Sequence, residues 1–237
     1  MTERQVKSKE RVADHGEVFT AQREVNAMLD LVKQETERID SRFLEPACGD
    51  GNFLEEILRR KLAVVKARYK KSAADYEKYA VMAVPSIYGV DILQDNVEEC
   101  RKRLFGIWDA EYTVNCKSEC TDECRAAVRY ILGRNILCGN ALTLKKVNEA
   151  GENTDDLIIF SEWVFTGKSS VKRSDYRLDV LMRENVDEMN YSHQLSLFHE
   201  EESNPEQWMI DPETNKSIPK PIKEYAPVYY WKVQNHG

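Results

Sequence analysis

The 237-residue chain has no run of about 18 consecutive apolar residues, which excludes a helix able to span a bilayer. It shows no internal repeat and no low-complexity tract, so an array of stacked repeats is excluded as well. Positive charge is in deficit. Lys and Arg number 34 against 41 Asp and Glu, and the formal charge is −7, so the surface as a whole does not attract a polyanion. Any nucleic-acid contact has to come from a local basic patch or from a partner subunit. Met1 to Glu10 lacks the apolar stretch of a secretory signal, and a cytoplasmic location with no membrane contact is expected.

Six cysteines are present, but a chain of this length without an export signal does not need a disulfide framework, so reduced thiols are expected. Cys116, Cys120 and Cys124 recur every four residues, which on one helix would share a face. That spacing is not the two-residue spacing of common zinc and cluster sites, and partly buried small side chains on a helix are the expected reading, with no metal.

With 42% hydrophobic residues the chain can bury one sizeable core. Apolar positions at helical spacing predict a helix over Ala21 to Arg38, and Arg42 to Pro46 reads as a short strand that Pro46 ends. After Cys48-Gly49-Asp50-Gly51, the positions Phe53, Leu54, Ile57, Leu58 and Leu62 mark a second helix. Further elements follow as a helix within Lys66 to Val81, a strand at Ser86 to Asp91, a helix through Val97 and Leu104, a helix at Asp122 to Leu132, a strand at Asn135 to Cys138 and a fourth strand at Asp156 to Phe160. This alternation predicts an α/β fold of Rossmann type, a mostly parallel sheet with helices on both faces. Residues 1–165 would form the core and 166–237 an extension of the same domain, with a helix from Asp175 to Arg183 and a C-terminal antiparallel hairpin at the sheet edge ending in Val228-Tyr229-Tyr230-Trp231.

In such sheets ligands bind beyond the carboxyl ends of the strands, where glycine admits a close backbone approach. Gly49 and Gly51 stand at one such end, and Asp91 closes the next strand, where a carboxylate can accept both hydroxyls of a ribose. Each feature alone has an ordinary explanation, a tight turn or a strand-end cap. Together, in adjacent βα units, they point to a nucleoside ligand. A dinucleotide would require a third small residue where Leu54 stands, so a cofactor without phosphates fits better.

Phe43-Leu44-Glu45-Pro46-Ala47-Cys48-Gly49-Asp50-Gly51-Asn52-Phe53 resembles the S-adenosylmethionine motif of the adenine-N6 DNA methyltransferases of restriction-modification systems. His15-Gly16-Glu17-Val18-Phe19-Thr20 is similar to that family's amino-terminal motif, Ile87 to Asp91 to its acidic ribose motif, and Cys138-Gly139-Asn140-Ala141-Leu142 to its Gly-Asp-Ala-Leu motif, with Asn140 in place of Asp. The resemblance covers roughly Val12 to Phe165. It implies a class I methyltransferase fold and S-adenosylmethionine held by Phe19, Thr20, Glu45, Pro46, Ala47, Cys48, Gly49, Gly51, Asp91, Ile92, Asn140 and Ala141.

The family's Asn-Pro-Pro-Tyr motif, which binds the target amino group and stacks the flipped base, is absent. Ser161-Glu162-Trp163-Val164-Phe165 stands in its place. Ser161 or Glu162 would accept a hydrogen bond there and Trp163 or Phe165 would stack; a buried strand end and a hydrophobic lid are the alternative. The implied activity is methyl transfer to adenine N6 in DNA. The alternatives are a catalytically impaired cofactor-binding subunit or regulator, and a methyltransferase with an RNA, protein or small-molecule acceptor. About seventy residues after Phe165 leave little room for a target-recognition domain, so DNA specificity would come from a separate subunit. The basic runs Arg59 to Lys71 and Lys168 to Arg177, and the aromatics Tyr225, Tyr229, Tyr230 and Trp231, are candidate contacts or ordinary surface and packing residues.

Overall fold

The computed structural model describes residue 8 and residues 11–13, 17–167, 169–182, 207–212 and 217–235. His15, Gly16, Lys168, Arg183 and Pro205 lie outside the described residues. Strands β1 (Phe43–Glu45), β2 (Ile87–Asp91) and β3 (Ile136–Cys138) form a parallel sheet in the order β1-β2-β3. Leu44 pairs with Tyr88 and Val90 with Leu137, so side chains of one parity share each face.

The helices that feed this sheet have legible starts. Helix α1 spans Gln22–Leu31 and breaks at Val32 before the short α2 (Lys33–Thr36), splitting the single helix expected there. Helix α3 (Asn52–Tyr69) begins at Gly51, and Leu54, Ile57, Leu58, Leu62 and Val65 recur along its buried face. Each such aliphatic side chain contributes roughly 1.5–3 kcal/mol by leaving water. Helix α4 (Ala73–Ala83) is capped by Ser72, whose hydroxyl accepts from the Asp75 N–H, and α6 (Asp122–Asn135) by Thr121, which accepts from the Cys124 N–H. Between them α5 (Gln94–Cys116) buries Val97, Cys100, Leu104, Trp108 and Tyr112.

These faces and Ile87 and Ile136 make one core, into which Val171, Tyr230 and Val233 of the C-terminal extension also pack. The opposite face of the sheet carries a smaller cluster, Tyr88 and Val90 against Ile158, Phe160 and Leu178. Among the described residues, that face, where a second helical layer was expected, is covered by extended chain and by Leu178, the first residue of a helix.

The remaining strands are antiparallel. The expected fourth parallel strand is divided at Ile158 into β5 (Asn153–Leu157), which pairs with β4 (Lys145–Val147), and β6 (Ile159–Thr166), which pairs along its whole length with β7 (Ser170–Arg177). Gly167 at φ 62° lets the chain reverse into that hairpin. The helix expected from Asp175 thus begins only at Leu178 and is described to residue 182, because Val171, Arg173 and Asp175 are the inward positions of a strand. Buried charges at two of those positions hide the alternation from a hydrophobicity reading. Strands β8 (Trp208–Ile210) and β9 (Ser217–Pro219) pair with each other, while β10 (Lys223–Glu224) and β11 (Val228–Tyr229) both add to β7.

Cys116, Cys120 and Cys124 straddle the turn between α5 and α6 and do not share one helix. No group of His, Cys, Asp and Glu able to hold a metal occurs among the described residues, and the described cysteines are all free. No helix among the described residues is long and apolar enough to cross a membrane.

Candidate functional site

The carboxyl ends of β1, β2 and β3 lie side by side because their register brings Glu45 beside Gly89 and Asp91 beside Cys138. After β1 the backbone turns through Gly49 at φ 54° and Gly51 at φ 100°, conformations that L side chains rarely adopt. The Gly49 N–H donates to Asp91 Oδ2 at 2.9 Å and the Cys48 N–H to the Val90 carbonyl at 2.9 Å, so two hydrogen bonds tie the first strand tip to the second. Asp91 Oδ1 accepts from the Leu93 N–H at 2.9 Å and from Asn96 Nδ2 at 3.2 Å. A carboxylate offers about four lone-pair positions, so three internal donors leave room for one ligand hydroxyl, where the sequence reading gave Asp91 two.

The other expected cofactor residues surround this pair. A Cβ on Gly49 would stand 3.0 Å from Cε1 of Phe19, so that ring walls the turn, and the Thr20 carbonyl accepts from Asn52 Nδ2 at 3.1 Å. Pro46 and Ala47 are exposed, and Glu45 is half-buried. Burial raises the Glu45 carboxyl pKa, opposed by the Ala47 N–H. Cys48 is packed below the turn, where contact with Cys100 and burial push its thiol pKa strongly up; it is a packing residue and no nucleophile. The Ile92 carbonyl accepts from Cys138 Sγ at 3.6 Å. The Asn140 side-chain oxygen is turned onto its own loop, accepting from the N–H groups of Leu142 at 2.9 Å and Thr143 at 3.3 Å, and Ala141 packs with the smaller cluster.

Ser161, Glu162 and Trp163 are brought to the other end of the sheet. Strand β6 crosses from Ile158, which abuts Gly139 at the tip of β3, toward the strands' amino ends. Glu162 pairs there with Arg42, which precedes β1. Trp163 Nε1 donates to Asn135 Oδ1 at 3.0 Å, and Asn135, just before β3, donates to the carbonyls of Pro85 and Ile87. Ser161 is fully buried; its hydroxyl donates to Asp175 Oδ1 at 2.7 Å and accepts from Arg173 Nε at 3.1 Å and Arg134 Nε at 3.2 Å. Arg173 also reaches Asp175 Oδ2 at 2.7 Å. Burial opposes ionisation of Asp175, but the bonds from Arg173 and Ser161 prevail and hold its carboxyl below the usual range. A cavity of about 530 Å³ adjoins this network, bounded by Arg42, Leu44, Tyr88, Phe160, Tyr176 and Leu178; its walls include Ser161 and Glu162 but none of the expected cofactor residues.

The basic runs are largely matched by acids within the chain. Arg59 pairs with Glu55, Arg60 with Glu56 and Asp30, Lys66 with Glu111, Lys172 with Glu224 and Arg177 with Asp179. Lys61 is buried and donates to the carbonyls of Arg38, Ile39 and Ser41 at 3.0, 3.0 and 2.6 Å. Of the aromatics, Tyr225 lies over the Arg173 guanidinium at 4.1 Å and Tyr230 donates to Glu77 at 2.8 Å, while Tyr229 is half exposed and stacked on Trp231.

Sequence reasoning missed Arg11 and Asn96. The signal available was position alone: Asn96 follows Asp91 by five residues on the helix leaving that tip, and Glu17, its second partner, belongs to the amino-terminal motif.

No protein-family model matches the chain, and no solved structure matches it. DNA methyltransferase A of Bacillus subtilis (strain 168) is 26% identical to it over 149 residues, covering 59% of this chain and 16% of that protein. The chain therefore spans about a sixth of that relative's length, and its distant likeness is to a DNA methyltransferase.

Proposed function

We propose that this chain is an S-adenosylmethionine-binding, methyltransferase-like protein that serves methyl transfer to adenine N6 in DNA. The observation that carries the reading is the joined pair of strand tips, Gly49 donating to Asp91. An adenosyl group suits it: Gly49 and Gly51 add no side chains of their own at the turn, Asp91 keeps one position for a ribose hydroxyl, and the Phe19 ring against Gly49 offers an apolar wall. The Asn140 side chain is available to adenine only if its local turn rearranges. The bound cofactor would supply an activated methyl group; Gly49, Asp91 and Phe19 would hold and orient its nucleoside, and Glu45 would stand beside it.

A second reading, a cofactor-binding subunit that leaves acceptor chemistry to another chain, is favoured by one observation. Ser161, Glu162 and Trp163 are engaged in the network at the amino ends of the strands. DNA would then be reached through a separate specificity subunit, in keeping with the negative net charge. Incubating the purified chain with methyl-labelled cofactor and unmethylated DNA separates the two. Label on adenine that survives Ser161→Ala and Trp163→Ala supports transfer by other residues of this chain. Cofactor binding without label supports the subunit reading, and no binding at all overturns both.

A further inference from the structure

The Asp91 carboxylate is held by more than its own turn. Asn96 is buried, and its Nδ2 donates at once to Asp91 Oδ1 at 3.2 Å and to Glu17 Oε1 at 2.7 Å. Its Oδ1 accepts from Arg11 Nη2 at 3.2 Å. Arg11 in turn donates from Nη2 to Glu17 Oε1 at 2.8 Å and from Nη1 to Asp95 Oδ2 at 2.6 Å, so one guanidinium gathers the first turn of α5 and the amino-terminal segment. Charge-assisted bonds of this kind fix geometry more firmly than neutral ones. Asn96 has no freedom to rotate without breaking a bond at each of its two polar atoms.

Resting on the proposed cofactor site, we infer that Asn96 is a positioning residue for Asp91, and that Glu17 and Arg11 set the orientation of Asn96. The geometry gives each a task. Asn96 and Leu93 occupy Oδ1 and thereby turn Oδ2 toward Gly49. Without the amide, each carboxylate oxygen keeps a single backbone donor, Leu93 on Oδ1 and Gly49 on Oδ2, and the remaining acceptor position is aimed less firmly. Glu17 and Arg11 lie 79 and 85 residues from Asn96 in sequence, so nucleoside affinity depends on a segment remote along the chain. A resident ligand and a docked amino-terminal segment then favour each other, since both need the same carboxylate orientation.

The probe is S-adenosylhomocysteine, titrated calorimetrically into the full chain. Loss of one charge-assisted hydrogen bond corresponds to roughly 10-fold in affinity, and Asn96→Ala is expected to weaken binding by about 5- to 10-fold on that scale. Arg11→Ala is expected to weaken it by about 3-fold, a fraction of the same bond. Because Asn96 acts through Asp91, Asn96→Ala is expected to cause no further loss in an Asp91→Asn background. A residue that merely stabilised the fold would add its full effect there, and that additivity overturns the inference. Should Asn96→Ala fail to fold, Glu17→Gln, which keeps the shape and weakens the bonds, gives the same comparison in the same background. Unchanged affinity in both Asn96→Ala and Glu17→Gln, with Asp91→Asn weakened, refutes the positioning role alone. A wild-type chain that binds no S-adenosylhomocysteine overturns the functional reading and this inference with it.

Discussion

The two ends of the parallel sheet are both rich in polar side chains, yet they are built in opposite ways. At the amino ends, Ser161, Arg173 and Asp175 are buried and bond one another, buried Asn135 accepts from Trp163 and donates to the Pro85 and Ile87 carbonyls, and Lys61 caps three carbonyls beneath α3. At the carboxyl ends, Gly49 and Gly51 turn at positive φ with Phe19 and Cys100 packed against them, Pro46 and Ala47 are exposed, and Asp91 accepts three internal hydrogen bonds where a carboxylate offers about four positions. A buried polar group whose partners are all internal holds a fold together; one with spare capacity at a strand tip can hold a ligand. Polarity alone does not separate the two. The count of partners does.

Breaking the amino-end network should therefore cost stability and spare ligand affinity. Arg173→Ala leaves Asp175 buried beside a lost partner, and a loss of about 3–5 kcal/mol is expected from chemical denaturation. Trp163→Ala should cost about 3–5 kcal/mol as well, through the vacated core volume and the orphaned Asn135 oxygen. A loss of binding in either variant without loss of stability would erase the distinction between the ends.

Lys61 sharpens the comparison through pH. Burial pushes its ammonium pKa down to about 7 from 10.5, against nearby Asp40 and Glu35, which raise it. Between those two values the unfolded chain binds more protons at this lysine than the folded chain does, so its contribution makes stability rise as pH increases from about 7 toward 10. Lys61→Met is expected to remove that rise in urea titrations at a series of pH values. A slope that survives the substitution would assign it to other groups. At the carboxyl ends the expected effects are smaller in energy and different in kind: Asp91→Ala should weaken adenosyl binding by roughly 10-fold, about 1.4 kcal/mol, with the amino-end network intact.

The sequence made the carboxyl-end half of this picture legible because its determinants are local. Positive-φ glycines, an apolar strand closing on Asp91 and the helical spacing of Leu54 to Leu62 each lie within a few residues of one another. The amino-end half was illegible for the converse reason. Ser161 meets Asp175 only through the β6–β7 hairpin, and Trp163 meets Asn135 across 28 positions. A strand that buries Arg173 and Asp175 carries no apolar alternation to announce itself. The same limit hid Asn96 and Arg11, whose partners come together only once α5 and the amino-terminal segment are in place.

The most direct test is one calorimetric series with S-adenosylmethionine on wild type, Asp91→Ala and Ser161→Ala. Binding by wild type that Asp91→Ala weakens about 10-fold and Ser161→Ala leaves unchanged is the predicted result. Equal affinity in wild type and Asp91→Ala, or binding abolished by Ser161→Ala alone in a folded protein, would contradict the assignment of the nucleoside to the Gly49 and Asp91 tips.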